Sequence, residues 1–308
     1  VPVPAPVPVP VNPPVDAPLN APIDAPLANA AQPRADRAHG TPRRAPVGGT
    51  PGFRIERNAR IPPQEKALSP IAQLSGLTQG YGRRTVVTDL DLDVRPGVLG
   101  LLGPAGAGKT TLLRTLATAV PPRAGTVTVC GTRVRSERSA RAARRDIGHL
   151  PQDLGYPPSF SVYDYVRYCV WLRGVPRGRA HAATLRAIES VGLTAHLRDA
   201  LRSLPPGTLR RAGIAAAVAG SPRLLLLDEP TAGLDPEHRR DVRALIRSFA
   251  DAAVVVSTRR VEDVAAVCDE VIVLAGGRPL FRGPPADLAA AAGGDLERGY
   301  RAVLGTAR

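Results

Sequence analysis

One nine-residue run, Gly103-Pro104-Ala105-Gly106-Ala107-Gly108-Lys109-Thr110-Thr111, constrains this chain more than any other segment. It fits G-x-x-x-x-G-K-[ST]. A short apolar stretch over 97–103 reads as a strand leading into it, and 108–120 reads as a helix leading out. That strand–loop–helix context is what a phosphate-binding loop requires. Glycines let successive backbone N–H groups turn inward around phosphate oxygens, and the helix beginning near Gly108 adds its positive dipole end. Lys109 then places a compact ammonium on the β- and γ-phosphates, and the Thr110 hydroxyl is set to ligate Mg²⁺. The choice of lysine is itself informative. Of 41 basic residues only Lys66 and Lys109 are lysine, and a planar guanidinium does not enter a tight loop as a point charge does.

The surrounding pattern predicts an α/β layered fold. Residues 86–94 alternate like a half-buried strand, 125–130 reads as another strand, and 161–200 reads as mostly helical. The runs at 223–227 and 253–257 are continuously apolar, as buried parallel strands are. Residues 1–69 differ. The first 70 residues hold 17 of the 33 prolines, first in Val-Pro alternation and then in a four-residue repeat such as Asp16-Ala17-Pro18-Leu19. This composition predicts a disordered, extended tail and leaves one globular unit over 70–308.

Three scattered cysteines, with no C-x-x-C pair, argue against a metal centre or a disulfide framework and for a reducing compartment. No secretory signal and no 18-residue apolar span is visible, so any membrane role calls for another chain to cross the bilayer. The net charge of +14 is spread along the sequence, with 4% aromatics and no aromatic interleaving, so no nucleic-acid partner is expected.

A second site motif follows 120 residues later. Leu224-Leu225-Leu226-Leu227 ends in Asp228-Glu229. A buried strand would carry Asp228 to the sheet edge, where it can hold Mg²⁺, and would place Glu229 to polarise an attacking water. With Pro230-Thr231-Ala232-Gly233-Leu234-Asp235-Pro236 this segment resembles the Walker B and D-loop of ATP-binding cassette proteins, and the resemblance extends over about 72–305 in motif order. It implies a P-loop ATPase core with an antiparallel β subdomain and an inserted helical subdomain at about 153–219. It also implies that Tyr81 stacks on adenine, that Gln152 reaches Mg²⁺ and the attacking water, and that Asp235 crosses a dimer interface. The cofactors implied are ATP and Mg²⁺. The partners implied are a second cassette, identical or different, and a transmembrane permease on a separate chain. The implied place is the cytoplasmic face of the cell membrane, and the stretch 271–304 resembles single-cassette export ATPases.

Two positions depart from the family pattern. Where the family has a Leu-Ser-Gly-Gly-Gln signature, this chain has Leu204-Pro205-Pro206-Gly207-Thr208. The serine hydroxyl and two N–H donors are gone, at a cost to γ-phosphate binding of at most about 3–6 kcal/mol. Pro206 still suits the first position of a helix. After the 253–257 strand, Ser257-Thr258-Arg259 replaces the family's Ser-Thr-His. Arg259 can pair with phosphate but offers no acceptor. These departures leave a second reading open, a nucleotide-gated and weakly hydrolytic regulatory cassette. A soluble cassette acting on ribosome or DNA fits less well, because those resemble paired or heavily inserted cassettes.

Overall fold

The computed structural model describes residues 69–249, 252–290 and 292–305. The tail expected over 1–69 lies, apart from Ser69, outside them. The chain opens with strands β1 (Ala72–Tyr81), β2 (Arg84–Val94) and β3 (Gly97–Leu102), then helix α1 (Lys109–Leu116). There follow β4 (Ala124–Val129), β5 (Thr132–Arg133), α2 (Glu137–Ala143) and β6 (Ile147–Leu150). Three helices come next, α3 (Val162–Leu172), α4 (Arg177–Ser190) and α5 (Pro206–Val218). The chain continues through β7 (Leu224–Asp228), α6 (Pro236–Arg247), β8 (Ala253–Thr258) and α7 (Val261–Val267). It runs on through β9 (Glu270–Ala275), β10 (Arg278–Gly283), α8 (Pro285–Ala290) and α9 (Leu296–Gly305).

The strands form two sheets. One is antiparallel, in the order β2-β1-β4-β5. The other has the order β10-β9-β3-β8-β7-β6, and only β10 runs antiparallel to its neighbour. The apolar runs explain the second sheet. In β3, Val98 and Leu102 join one core while Leu99 and Leu101 join the other. In β7, Leu225 and Leu227 face the first core, Leu224 and Leu226 the second. A strand with apolar residues on both faces is stable only when layers cover both sides. Helices α3, α4 and α5 contribute to the first core; α1 and the antiparallel sheet contribute to the second. Each fully buried leucine contributes about 2 kcal/mol to this arrangement.

Strand order fixes the position of the site. β8 lies between β3 and β7, with Leu102 beside Thr258 and Asp228 beside Ser257. The loops that follow three adjacent parallel strands therefore emerge together at their carboxyl ends, where open α/β sheets bind ligands. The helix expected over 108–120 stops earlier, at Leu116. Ala119 N–H bonds the Arg114 carbonyl at 2.9 Å, and Thr118 takes φ 55°, a helix-ending turn usually made by glycine. Arg144 holds that turn through the Thr118 hydroxyl (2.9 Å) and carbonyl (2.8 Å).

Candidate nucleotide-binding site

The phosphate loop begins where β3 ends. Gly108 has φ 104°, a conformation that side chains disfavour, and α1 starts immediately after it. The first turn of α1 has no acidic residue and no side-chain cap, so its N–H groups remain directed at the loop's interior. Lys109 is buried. Its Nζ donates to the carbonyls of Gly103 (2.6 Å) and Pro104 (3.0 Å), folding back across its own loop. Burial lowers the Lys109 pKa below the usual lysine value; Glu229 opposes this, Arg259 adds to it, and Asp228 opposes it. An anion in the loop would offset that desolvation. Thr110 sits half-buried at the same helix start.

Opposite the loop, β7 ends in Asp228, which is 1% exposed. The Ser257 hydroxyl donates to Asp228 Oδ1, and Ser257 Oγ also accepts the Glu229 N–H at 2.9 Å. Glu229 itself has φ 46°, a left-handed conformation that costs a non-glycine residue about 1–2 kcal/mol. Its N–H bonds to Ser257 hold the turn and aim the carboxylate away from the strand. There it meets Arg259, whose Nε donates to Glu229 Oε1 at 2.7 Å.

Beneath this surface lies buried Asp263 of α7. Its Oδ2 accepts from Thr231 (2.7 Å) and Thr258 (2.8 Å), and its Oδ1 from Arg243 Nε (2.8 Å). One carboxylate thus fastens the segment after β7 to the end of β8. Asp263→Ala should lower unfolding stability by about 3–5 kcal/mol, because it leaves Arg243 and two hydroxyls without their acceptor. Urea denaturation of the two proteins checks this.

The structure brings Gly103 to Thr111, Asp228, Glu229 and Arg259 to one place. Tyr81 lies at the end of β1, 45% exposed, in a hairpin whose Val86 and Val87 border Gly108. Gln152 is exposed just beyond β6. Asp235 is the N-cap of α6, accepting from the N–H groups of Glu237 and His238 (both 3.0 Å). Those bonds, the His238 N–H first, hold its pKa below the usual carboxylate value. Helix α5 does begin at Pro206, with Pro205 as its N-cap. A Cβ on Gly207 would lie 2.3 Å from His238 Cδ2, so α5 and α6 meet at their starts.

Sequence reasoning assigned no role to Arg210, Asp263 or His149. Arg210 had one signal: it lies on the buried side of an alanine-rich helix, three residues after Gly207 and three before Gly213. His149 of β6 has a buried Nε2 with no hydrogen-bond partner, and burial lowers its pKa while Asp228 opposes this. Nothing in the local sequence marks it.

A glycine-rich loop, a helix start open to anions and a buried acid on the next strand but one are the parts a P-loop nucleotide site requires. Comparison with known proteins agrees and is more specific. The family model described as ABC transporter matches residues 87–232. The chain is 34% identical over 224 residues to the Nod factor export ATP-binding protein I of Cupriavidus metallidurans, covering 72% of this chain and 73% of that one. It is 38% identical over 205 residues to the methionine import ATP-binding protein MetN of Nocardia farcinica, covering 65% and 61%. A solved ATP-binding subunit of an ABC transporter shares the fold, with a TM-score of 0.67 at 21% identity over 76% of this chain and 99% of that one. The chain belongs to the ABC transporter family, among its ATP-binding subunits.

Proposed function

We propose that this chain binds Mg-ATP in the 103–111 loop, hydrolyses it with Glu229 as general base, and powers a separate membrane permease. The observation that carries this is the convergence of Lys109, Asp228 and Glu229 at the carboxyl ends of β3 and β7, the two strands that flank β8. Lys109 would exchange two carbonyls of its own loop for the β- and γ-phosphate oxygens. The N–H groups at the start of α1 would bind the remaining phosphate charge. Thr110, Asp228 and Gln152 offer oxygen donors only, a set that suits Mg²⁺, which is bound by few protein oxygens together with substrate phosphates. When bound, that ion neutralises charge on the phosphates. Tyr81 would stack on the base at the open edge.

Glu229 would accept the proton of the attacking water. For that its carboxylate must be free, and in this structure it is paired with Arg259. The pairing favours a second reading: a cassette that closes on nucleotide but turns it over slowly. Prolines 205 and 206 add to it, since neither can donate an N–H to a phosphate of the opposing subunit.

The family resemblance supports a head-to-tail dimer, with Asp235 at the interface, docked on the cytoplasmic face of the membrane. Among the described residues no helix is long and apolar enough to cross one. Export is the direction we favour, because the stretch 271–304 resembles single-cassette export ATPases. Coverage does not separate the directions, since the phosphonates import ATP-binding protein PhnC of Hyphomonas neptunium matches over 77% of this chain and 94% of that one.

The direct test is binding. Lys109→Ala should weaken a labelled non-hydrolysable ATP analogue by about tenfold to a hundredfold, the worth of one charge-assisted contact. Equilibrium filtration measures this, and unchanged affinity would remove the loop from the site.

A further inference from the structure

We infer that Arg210 is a positioning residue that locks the loop carrying Gln152 to the loop carrying Glu229, so that the two move as one piece. Arg210 lies in the first turns of α5, 8% exposed. Its guanidinium has five N–H groups, and five backbone carbonyls take them. Nε donates to Pro230 at 3.1 Å. Nη1 donates to Pro151 (3.3 Å) and Gln152 (3.0 Å). Nη2 donates to Asp228 (2.9 Å) and Glu229 (2.5 Å). Two of the acceptors follow β6; three belong to the end of β7 and the turn beyond it.

The location of these bonds separates positioning from mere support. Strands β6 and β7 are already joined by their own ladder, from Ile147 beside Leu224 to Leu150 beside Leu227. The ladder needs nothing from Arg210. It stops at Leu150, because Pro151 has no N–H to continue it. The guanidinium takes over at that point, bridging the two loops one residue after the backbone ceases to. It does so from a helix whose start carries Pro205, Pro206 and Gly207, so a tilt of α5 is transmitted to both loops at once.

The chemistry demands arginine. A lysine has three donors on a rotating point charge and cannot hold five fixed acceptors in a plane. The charge is also costly where it sits: burial pulls the Arg210 pKa below the ordinary arginine value, and Asp228, Asp153 and Glu229 pull it back. The carbonyls of Asp228 and Pro230 are buried, so losing the guanidinium leaves those two acceptors unsatisfied.

This inference rests on the roles proposed for Glu229 and Gln152. The test uses the full chain with Arg210→Gln and Arg210→Lys. Three quantities are read: affinity for a non-hydrolysable ATP analogue, single-turnover hydrolysis, and amide hydrogen exchange over 151–154 and 228–231. The expected result for Arg210→Gln is unchanged analogue affinity, since the Lys109 loop is untouched. Hydrolysis should slow about a hundredfold, as a misplacement of roughly 1 Å can cause. Exchange should accelerate over both segments together, and Arg210→Lys should fall between. Acceleration of one segment alone, or hydrolysis at the original rate, would overturn the inference, as would a fall in affinity and hydrolysis in proportion to lost folded protein. If Arg210→Gln does not fold, the unmodified chain still decides. Adding the analogue should slow exchange over both segments in step, and slowing of only one counts against the bridge. Glu229→Gln, measured alongside, keeps the two ideas apart. Full turnover in that variant refutes the proposed base, while the exchange of the two segments reports on Arg210 independently.

Discussion

Glu229→Gln should lower single-turnover ATP hydrolysis about 10²- to 10⁴-fold, the usual contribution of a positioned general base. ATP analogue affinity should hold or rise. The amide keeps the size and one acceptor of the carboxylate but cannot take the proton of a water. It also removes the negative partner of Arg259, freeing that guanidinium for phosphate. The left-handed turn at Glu229 depends on its backbone N–H and on Ser257, so the substitution should leave the loop in place. Labelled ATP followed by quench measures the rate, and a parallel binding titration measures affinity. Equal rates in the two proteins would exclude Glu229 as the base.

The second large effect concerns the two departures from the family pattern. In the head-to-tail dimer proposed above, each ATP would lie between one chain's 103–111 loop and the other chain's 204–208 segment. A homodimer places the Pro205-Pro206 defect and Arg259 in the same site, at both sites. A different partner separates them. Restoring Pro205→Ser with Pro206→Gly, and separately Arg259→His, should each raise steady-state turnover by tenfold or more, since about 1.4 kcal/mol off the barrier is tenfold in rate. The Arg259→His gain has a specific source, because it dissolves the 2.7 Å pair that occupies the Glu229 carboxylate. The measurement needs the membrane partner present. If the unmodified chain already turns over as fast as both restored forms, the departures are harmless.

What the sequence disclosed depended on how local the signal was. The phosphate loop is contiguous, and its chemistry is written in nine residues. Strands β3, β7 and β8 were legible because burial on both faces demands an unbroken apolar run. The end of α1 was not, because Thr118 occupies a left-handed position with no glycine to announce it. Strand β6 was missed because Gly148 and His149 interrupt a four-residue run. The contacts that set the site's state were illegible for a different reason. Arg259 reaches Glu229 across 30 residues of sequence, and Arg210 reaches Pro151 across 59. Which arginine pairs with which acceptor is decided by strand order, since β8 inserts between β3 and β7. Arg259 stands out only by following the 253–257 strand, and Arg210 only by its spacing between two glycines; neither feature names the acceptor.

The Lys109 side chain, folded onto the carbonyls of Gly103 and Pro104, has a practical consequence. Its lowered pKa enlarges the share of neutral amine, the form that attacks acylating reagents once the buried side chain swings off those carbonyls. Bound phosphate reverses this by favouring the ammonium and by covering it. The only other lysine in the sequence is Lys66, outside the loop. A mild amine-directed label should therefore mark Lys109 in the absence of ATP and spare it in its presence, with Lys66 as the reference in the same digest. Mass spectrometry of two peptides would then report occupancy of the site without any assay of turnover.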